Sequence, residues 1–304
     1  MPLHYELSDL RLLLILMRTR SLSASGEAAH LTTSAVSLRL RKLEDGIGAQ
    51  LITRTGKGLV PTEAGTALAE AAVPILAEAA ALDARLNPFS KHDPEPLRIF
   101  SNSTGLQNFL CRIAADYLRE NSSFRAVLTE QRSSLTPEAV LTGEADLGLI
   151  GGIRELSPAY RTKLELVQFV EDRHVVILPR DSSAAQQFKN RPILFAELLN
   201  LRFAALTDAS PMTAAMKERA LAAGFRFEPI IEAPSFSLLV ELVARGPLAA
   251  VVPASAVPPN APVEVRELED SWAARPLAFV LPKARPALPS AIDFVEFALR
   301  TQKR

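Results

Sequence analysis

The chain of 304 residues is short of cysteine and carries no excess charge. Its one cysteine, Cys111, excludes an internal disulfide bond and any metal site built from several cysteines. Because Cys111 occupies an apolar position of a predicted helix, we expect a buried thiol and not a nucleophile. Lys plus Arg number 34 and so do Asp plus Glu, so a nucleic-acid or membrane partner would have to meet a local patch of charge.

Signatures of catalysis, metal binding and nucleotide binding are also missing. The histidines (His4, His30, His92 and His174) are scattered, and no G-x-S-x-G elbow surrounds a serine. No cluster of His, Asp and Glu has metal-ligand spacing, and no G-x-G-x-x-G or phosphate loop occurs. We therefore expect no enzyme, no catalytic residue, no metal and no cofactor, and we interpret His30 as a packing or capping residue at a turn.

Long apolar runs are scarce as well. The run "LRLLLILM" at residues 10–17 is too short to span a bilayer, and acidic residues precede it where a secretory signal needs basic ones. No other segment of the sequence is expected to be apolar for long enough. We expect a soluble cytoplasmic protein without a membrane partner.

What is present begins with three short helices, predicted at residues 8–20, 23–30 and 33–45, with Ser8 and Ser23 as N-caps of the first two. The next stretch, "LITRTGKGLVPT", has β-prone runs on both sides of two glycines, which predicts a hairpin. These elements indicate a small N-terminal domain.

A long alanine-rich helix is predicted to follow, with Thr62 as its N-cap and Glu63 in its first turn. Pro74 should kink it. Its apolar residues recur every three or four positions, as in a coiled-coil seam, at Leu68, Ala72, Ile75, Ala79, Leu82 and Leu86. No adjacent segment is evident to cover this stripe, so we expect it to pack against a second copy of the chain.

Beyond the proline-rich and charged segment "NPFSKHDPEP", predicted strands and helices alternate to the C-terminus. Strands are predicted at "LRIFSN", "AVLTEQR" and "DLGLIG", with helices between them. Such alternation predicts a parallel sheet with helices on its faces. The chain thus divides into a helical N-terminal part and a larger α/β part.

The third predicted helix, "LTTSAVSLRLRKLED", has two distinct faces. At about 100° per residue, Val36, Leu40 and Leu43 fall on one side. The opposite side carries Ser34, Ser37, Leu38 and Arg41, which a merely solvated face would also allow. Three features favour a helix-turn-helix instead: small hydroxyls at the helix entrance, cations answered only by acids at the far end, and a short helix of small residues before the turn. The candidate DNA-binding residues, including the wing cations, are Thr32, Thr33, Ser34, Ser37, Leu38, Arg39, Arg41, Arg54 and Lys57.

These residues resemble the N-terminal domain of LysR-type transcriptional regulators. The shared positions are Ser21, Glu27-Ala28, Ala35, Ser37, "LRKLE" at 40–44, Gly48, Leu51, Arg54, Gly58 and "TEAG" at 62–65. The resemblance implies an N-terminal all-α winged helix-turn-helix with a long linker helix, followed by a two-lobed α/β effector domain similar to type 2 periplasmic binding proteins. The implied domains are residues 1–62, a dimerisation helix 63–87, a hinge 88–96 and an effector domain 97–304, with lobe I at 97–167 and 268–304 and lobe II at 168–267.

The sequence departs from the family pattern in two places. Thr33-Ser34 stands where members often have Gln-Pro, and Leu38 where they have Arg, so the bases contacted are expected to differ. Pro247 occupies a usually flexible glycine-rich turn, which puts the local pocket wall in question.

Hydroxyls and amides follow the predicted strands, where ligands of open α/β sheets bind. The same residues are ordinary N-caps, and the resemblance adds that family members place pocket residues there. The candidate effector-binding residues are Ser101, Asn102, Ser103, Thr104, Ser134, Asp208, Ser210, Ser235 and Phe236.

The resemblance implies a homodimer or homotetramer that binds double-stranded promoter DNA under control of a small effector, with RNA polymerase as a further candidate partner. The hydroxyl-rich set favours a polar effector, with an anion as one candidate. The rival classes are an enzyme, for which the motifs are missing, and a solute-binding transport component, which would leave the first 86 residues unexplained.

Overall fold

The computed structural model describes most of the chain, namely residues 5–56, 58–86, 89, 95–153, 156–189, 191–207, 210–283 and 287–302. Its N-terminal part contains four helices and a hairpin: α1 (Leu7–Thr19), α2 (Leu22–Ala29), α3 (Thr33–Ile47), β1 (Ile52–Thr55), β2 (Gly58–Pro61) and α4 (Glu63–Leu86). Leucines of α1 and the aliphatic stripe of α3 meet Leu51, Ile52 and Leu59 of the hairpin region in one core. The predicted helices and hairpin are thus present.

The caps of the first two helices differ from the prediction. Glu6 precedes α1 in extended conformation and exchanges hydrogen bonds with Asp9, so Ser8 lies inside the helix. The Ser21 hydroxyl accepts from the Ala24 N–H at 3.4 Å and caps α2, which places Ser23 inside that helix. The Thr62 hydroxyl accepts from the Gly65 N–H at 3.0 Å, which confirms the predicted N-cap of α4.

The apolar stripe predicted on α4 is divided between two faces. Ala72 and Leu76 are fully buried against Leu10 and Leu14 of α1, so the expectation that no adjacent segment covers the helix was wrong. Leu82 and two neighbours on the other face stay exposed, at 41% for Ile75, 57% for Leu82 and 54% for Leu86. A helix with apolar residues on more than half of its circumference can pack on its own domain and still present a stripe outward.

The length of α4 also corrects the expectation about membrane spans. By length and composition, residues Glu63–Asp83 could cross a bilayer, with a mean hydropathy of 1.4. However, Glu70 and Glu78 lie exposed within this stretch, and a charged side chain at the middle of a membrane helix costs about 2.5–3.5 kcal/mol. Because one face of the helix also packs on α1, we interpret α4 as part of the N-terminal domain.

The C-terminal part is mixed α/β. Its strands are β3 (Leu97–Ser101), β4 (Ala126–Glu130), β5 (Leu147–Gly151), β6 (Leu164–Glu171), β7 (His174–Pro179), β8 (Ala204–Leu206), β9 (Ile231–Ala233), β10 (Ala250–Pro253), β11 (Val263–Glu267) and β12 (Pro276–Pro282). Its helices are α5 (Ser103–Gly105), α6 (Cys111–Glu120), α7 (Thr136–Leu141), α8 (Pro158–Lys163), α9 (Ser183–Gln187), α10 (Pro211–Ala222), α11 (Phe236–Arg245) and α12 (Pro289–Gln302), and Leu106–Leu110 form a π-helical turn between α5 and α6.

The first sheet has the strand order β4-β3-β5-β12-β6. Strand β3 is parallel to β4 and β5, whereas β12 is antiparallel to β5 and β6. The parallel sheet predicted from the first three strands is thus confirmed for β3, β4 and β5. Strand β12 joins it in the antiparallel direction, because it returns from the other half of the domain instead of following a helical crossover. Strand β6 was not predicted, since its alternating exposure as an edge strand gives no continuous apolar run.

The second sheet has the order β10-β7-β11, and both outer strands are antiparallel to β7. Strand β8 pairs in parallel with β9, and a bridge between Phe203 and Ala249 joins this pair to the β10 side. The chain passes between the two sheets twice, at Asp172–Arg173 and at residues 268–275. We call these two stretches the crossover. The expected lobe boundary at residues 167 and 168 falls inside β6.

The helix after β3 shows why Cys111 is exposed and not buried as expected. The buried face of this helical run is made by Phe109, Leu110, Ile113 and Tyr117, which pack on the first sheet. Cys111 follows Leu110 by about 100° and faces away from Ile113. Apolar residues on one side were thus sufficient for packing, and the cysteine lies on the solvent side.

A direct contact joins the N-terminal domain to the first lobe. The Arg18 guanidinium donates to both carboxylate oxygens of Glu144, at 3.3 Å each. Beside it, Gly143 has φ +74°, and a Cβ atom there would lie 2.5 Å from the Cβ of Ala80 in α4. The turn between α7 and β5 therefore approaches α1 and α4 as closely as a glycine permits.

Candidate nucleic-acid interface and interlobe cleft

Helix α3 presents the two faces that the sequence predicts. Val36, Leu40 and Leu43 are 0%, 8% and 3% exposed. Leu38 on the opposite side is 57% exposed, and Arg41 is exposed with it. The helix begins after Thr32, whose hydroxyl accepts from the Ala35 N–H at 3.2 Å and contacts the Ser34 hydroxyl at 3.0 Å. The entrance of the helix is therefore a solvent-facing row of hydroxyl groups that includes Thr33.

The turn before α3 is tight for a steric reason. A Cβ atom on Gly26 would lie 2.6 Å from the Leu31 carbonyl oxygen, so only glycine allows α2 to approach the turn. His30 ends α2 in the left-handed region with φ +55°, and its backbone N–H donates to the Glu27 carbonyl. His30 is thus a helix-capping residue in this structure, as expected.

Glu44 fixes the hairpin to α3. Its Oε1 atom accepts from the backbone N–H groups of Leu51 and Ile52 at 2.8 and 3.2 Å. Both of those residues are buried. This carboxylate does not neutralise the cations of α3: within the described part of the chain, Arg39, Arg41 and Lys42 take part in no ion pair.

The wing lies next to the polar edge of α3. The Arg54 Nη2 atom in β1 lies 3.5 Å from the Ser37 hydroxyl, so the hairpin cation and the helix hydroxyl face the same region of solvent. Lys57 lies outside the described residues. The surface combines small hydroxyls, an exposed leucine and uncompensated guanidinium groups, which can contact bases and phosphates.

The candidate effector residues of the first lobe divide into structural and accessible groups. Ser101 is fully buried and its hydroxyl donates to the Leu149 carbonyl at 2.7 Å, so it ties β3 to β5 and does not face a ligand. The Asn102 Oδ1 atom accepts from the Gly105 N–H as an N-cap, and its Nδ2 atom donates to Ser133 at 2.9 Å. Ser103 accepts from Gln107, and Thr104 is buried.

Ser134 is exposed in the loop that follows β4. In the second lobe, Ser210 precedes α10 without a side-chain cap, and the Ser235 hydroxyl accepts from the Leu238 N–H at 3.4 Å. Phe236 is half-buried against the core around α11. Asp208 lies outside the described residues. Shallow depressions of about 450 and 350 Å³ occur on the outer surface, and neither includes a predicted effector residue.

A polar network that the sequence did not reveal joins the two lobes. Asn108 Nδ2 donates to the Ser255 hydroxyl at 3.0 Å. Ser255 in turn donates through its hydroxyl and its backbone N–H to the two oxygens of Asp172, at 2.9 and 3.2 Å. Asp172 is only 2% exposed, and Arg275 Nη2 lies 3.9 Å from it. The available signal was the polar run Glu171-Asp172-Arg173-His174 directly before the apolar segment "VVIL", because such charged residues rarely become buried without partners.

Beside this network lie buried nitrogen atoms without acceptors. Among the described residues, these are Arg173 Nε, His174 Nδ1, Trp272 Nε1 and the Nε and Nη2 atoms of Arg275. Burial, then the nearby charges of Arg275 and Arg219, lower the pKa of His174 to about 4, so its imidazole is neutral at pH 7. Burial also lowers the pKa of Arg275, while Asp172 opposes the change.

The fold and this surface define a two-domain regulator, and the chain belongs to the LysR family. Residues 7–66 match the family of bacterial regulatory helix-turn-helix proteins of the lysR type, and residues 90–303 match the LysR substrate binding domain. This family consists of transcriptional regulators and not of enzymes.

Relatives with similar sequences are named as transcriptional regulators. An uncharacterised HTH-type regulator of Mycobacterium tuberculosis is 31% identical over 187 residues, which cover 59% of this chain and 58% of that protein. The activator IlvY of Salmonella typhimurium is 30% identical over 146 residues, covering 48% of this chain and 50% of that protein. The chain thus spans a little over half of the length of the first relative and half of the second.

Solved structures share the fold over nearly the whole chain. A full-length OxyR variant from Pseudomonas aeruginosa has a TM-score of 0.63 at 20% identity, covering 98% of this chain and 95% of that one. Full-length CbnR in complex with its target DNA has a TM-score of 0.54 at 18% identity, covering 98% and 100%. At these identities the comparison establishes the fold alone.

Proposed function

We propose that this protein is a sequence-specific DNA-binding transcriptional regulator of LysR type, whose promoter binding is modulated by a small molecule held between the two lobes of its C-terminal domain. One observation carries the DNA-binding part. Helix α3 buries its aliphatic stripe and leaves an exposed edge of hydroxyls and uncompensated cations beside the wing. Such an edge can enter the major groove with its N-terminal end.

The contacts expected at this edge follow from side-chain chemistry. The Arg41 guanidinium can donate to guanine O6 and N7, and the Ser37 hydroxyl can donate or accept at most bases. Leu38, at 57% exposure, suits the thymine methyl group. Arg54 and Lys57 of the wing, with Arg39 on the flank and the hydroxyls of Thr32, Thr33 and Ser34 at the entrance, are assigned to phosphates and groove edges. RNA polymerase remains a candidate partner at the promoter.

The effector part rests on the arrangement of the second domain. Two sheets are joined by the two stretches of the crossover, where Asn108 of one half donates to Ser255 of the other. We assign lobe I to the sheet containing β3 and lobe II to the sheet containing β7, with Asn102, Ser103, Ser134, Ser210 and Ser235 as candidate effector contacts. A solute-binding transport role would leave the DNA-binding surface without a purpose.

Self-association is proposed through α4. The residues Ile75, Leu82 and Leu86 form an exposed apolar stripe on a helix whose other face is already packed. A second copy of the same helix would cover it, as in a coiled coil, and would place two copies of α3 on neighbouring half-sites. The protein is proposed to act in the cytoplasm as a homodimer or homotetramer.

Footprinting on the DNA upstream of the protein's own gene tests the proposal. A protected site should appear at nanomolar protein and weaken steeply with salt. Ser37→Ala and Arg41→Ala should each weaken binding to this site by about 1–3 kcal/mol while leaving nonspecific binding nearly intact. Lys57→Ala should weaken binding to all sequences and reduce the salt slope by about 1.

Arg85→Ala provides the matched control, since it removes an exposed cation from the far end of α4 and should leave specificity unchanged. If Ser37→Ala and Arg41→Ala kept the full preference for the protected site, α3 would not be the recognition helix. Absence of any protected site in the upstream region or in genomic fragments would contradict the regulatory role itself.

A further inference from the structure

The crossover between the lobes contains buried hydrogen-bond donors that lack acceptors. Trp272 Nε1 and the Nε and Nη2 atoms of Arg275 are obligate donors, and none of them has a partner within the described part of the chain. His174 Nδ1 is buried and unpartnered as well. A buried donor without an acceptor costs free energy, so several in one place call for a common acceptor.

Arg275 displays the edge that binds oxyanions. Its unpartnered atoms are Nε and Nη2. Arg98 uses the same two atoms to bind Asp146, with Nε to Oδ2 at 3.1 Å and Nη2 to Oδ1 at 2.7 Å. In Arg98 this two-pronged geometry is satisfied within the chain. In Arg275 the two parallel donors are directed at no acceptor among the described residues, because the carboxylate oxygen paired with it lies 3.9 Å away.

The surroundings of Arg275 are also suited to an anion. The His174 and Trp272 rings lie 5.9 Å apart, and the Arg219 guanidinium stacks on the Trp272 ring at 4.9 Å. Arg275 Nη2 lies 3.9 Å from Asp172, which is two residues before His174 in the chain. The acid of this group, Asp172, already accepts two hydrogen bonds from Ser255. Around Arg275, hydrogen-bond donors therefore outnumber acceptors, and positive charges outnumber negative ones.

Close backbone approach supports the same interpretation. Strand β5 ends at Gly151, where a Cβ atom would lie 2.9 Å from Arg275 Nε. The guanidinium thus lies against the carboxyl end of a first-lobe strand while its neighbours Trp272 and His174 contact the second lobe. A ligand on this edge would touch both lobes.

We propose that Arg275, Trp272 and His174 form an oxyanion site at the crossover, which takes the carboxylate, sulfate or phosphate group of the effector. This inference rests on the proposed effector function and specifies the chemical class of the ligand. The donor atoms are shielded from solvent. Ligand access therefore requires the lobes to move about the crossover, which gives the anion a way to couple its binding to lobe position.

The protein supplies its own probe, because Trp272 is the only tryptophan. Full-length protein is titrated with acetate, benzoate, sulfate and inorganic phosphate at constant ionic strength, with chloride as the reference, while tryptophan fluorescence is followed. A saturable change with one or more oxyanions is expected, and the comparison of carboxylates with inorganic anions identifies the source of the group. Association should be slower than diffusion-limited encounter because the lobes must first part.

Variants separate the site from nonspecific charge effects. Arg275→Lys keeps the positive charge beside Asp172 but removes the two-pronged edge, and it should weaken binding at least tenfold. Trp272→Phe keeps an aromatic ring but loses the Nε1 donor, so it should bind the anions more weakly. Because this variant lacks the tryptophan, its anion binding is measured from the rise in thermal unfolding temperature. Arg180→Gln removes an exposed cation of the second lobe and should leave the affinity unchanged.

No saturable change with any of the four anions would overturn the oxyanion site, and so would equal affinity in the wild type and Arg275→Lys. Specific DNA binding, measured in parallel by fluorescence anisotropy, distinguishes failure of the oxyanion site from failure of the proposed regulatory function. Specific DNA binding without oxyanion binding would leave the regulator intact and reject this site. Oxyanion binding that never alters DNA affinity would support the site and contradict the proposed effector function.

Discussion

Replacing Glu44 with alanine should detach the wing from the recognition helix. The Oε1 atom of Glu44 is the acceptor for the backbone N–H groups of both Leu51 and Ile52, at 2.8 and 3.2 Å. These residues are 0% and 5% exposed, so water cannot readily replace the carboxylate. The substitution leaves two buried donors without partners.

The magnitude follows from that geometry. Each buried donor left unsatisfied costs about 1–3 kcal/mol, which gives about 2–6 kcal/mol for the two in Glu44→Ala. Glu44→Gln keeps an acceptor oxygen and loses only the charge, so a loss of about 1 kcal/mol is expected. Asp45→Ala, an exposed neighbour without such contacts, should change stability by less than about 0.5 kcal/mol.

Two spectroscopic signals of the full-length protein separate the domains during urea unfolding. Far-ultraviolet circular dichroism reports the helices of both domains, whereas tryptophan fluorescence reports the C-terminal domain alone, because Trp272 is the only tryptophan. Glu44→Ala should shift the early part of the dichroism transition and leave the fluorescence transition in place. Its specific DNA affinity should fall because the wing no longer holds its position beside α3.

A dichroism transition unchanged in Glu44→Ala would show that the two hydrogen bonds contribute little. An equal shift of the fluorescence transition would show that the domains unfold as one unit. The first result would refute the reasoning that a local anchor holds the wing, and the second would contradict the separate unfolding of the two domains.

The described contacts lead to three more predictions. The pKa of His174 is about 4 in the fold against 6.5 ordinarily, so the unfolded chain binds more protons between these pH values, and the free energy of unfolding should fall by on the order of 3 kcal/mol as pH drops from 6.5 to 4. His174→Gln should flatten this pH dependence when unfolding is measured at several pH values. An unaltered slope in this variant would contradict the prediction. A double-mutant cycle on Arg18 and Glu144 should give a coupling of about 1 kcal/mol in thermal unfolding, whereas additive effects would show that the interdomain pair is not formed in solution. Leu82→Lys should weaken self-association at least tenfold in sedimentation, while Glu70→Lys on another face should not; equal effects would exclude the exposed stripe as the interface.

Local pattern was sufficient for the N-terminal domain. The spacing of Val36, Leu40 and Leu43 predicted which side of α3 is buried, because a helix of this length can place its aliphatic stripe in only one way. Thr62 was predicted as a cap from its position before helix-forming residues, and its hydroxyl accepts the expected backbone N–H. The three strands predicted after the proline-rich segment, with helices between them, are also present as β3, β4 and β5.

Sheet direction and burial at the lobe junction depended on long-range contacts. Strand β12 pairs with β5 and β6 across a long separation in sequence, so its antiparallel direction has no local signature. Ser101 is the last residue of β3, and its hydroxyl donates to the Leu149 carbonyl, which only the pairing of β3 with β5 brings within reach.

Residues close together in the chain were sufficient to predict most helices, the buried and exposed sides of α3 and the family. Only the tertiary structure decided that α4 has one face packed on α1 and another exposed, since the partner of each face comes from elsewhere. The same holds for the crossover. Trp272 contacts His174, and Arg275 lies near Asp172, from a distant segment of the chain, and no local pattern encodes these contacts. The donors of the proposed oxyanion site are therefore a property of the fold.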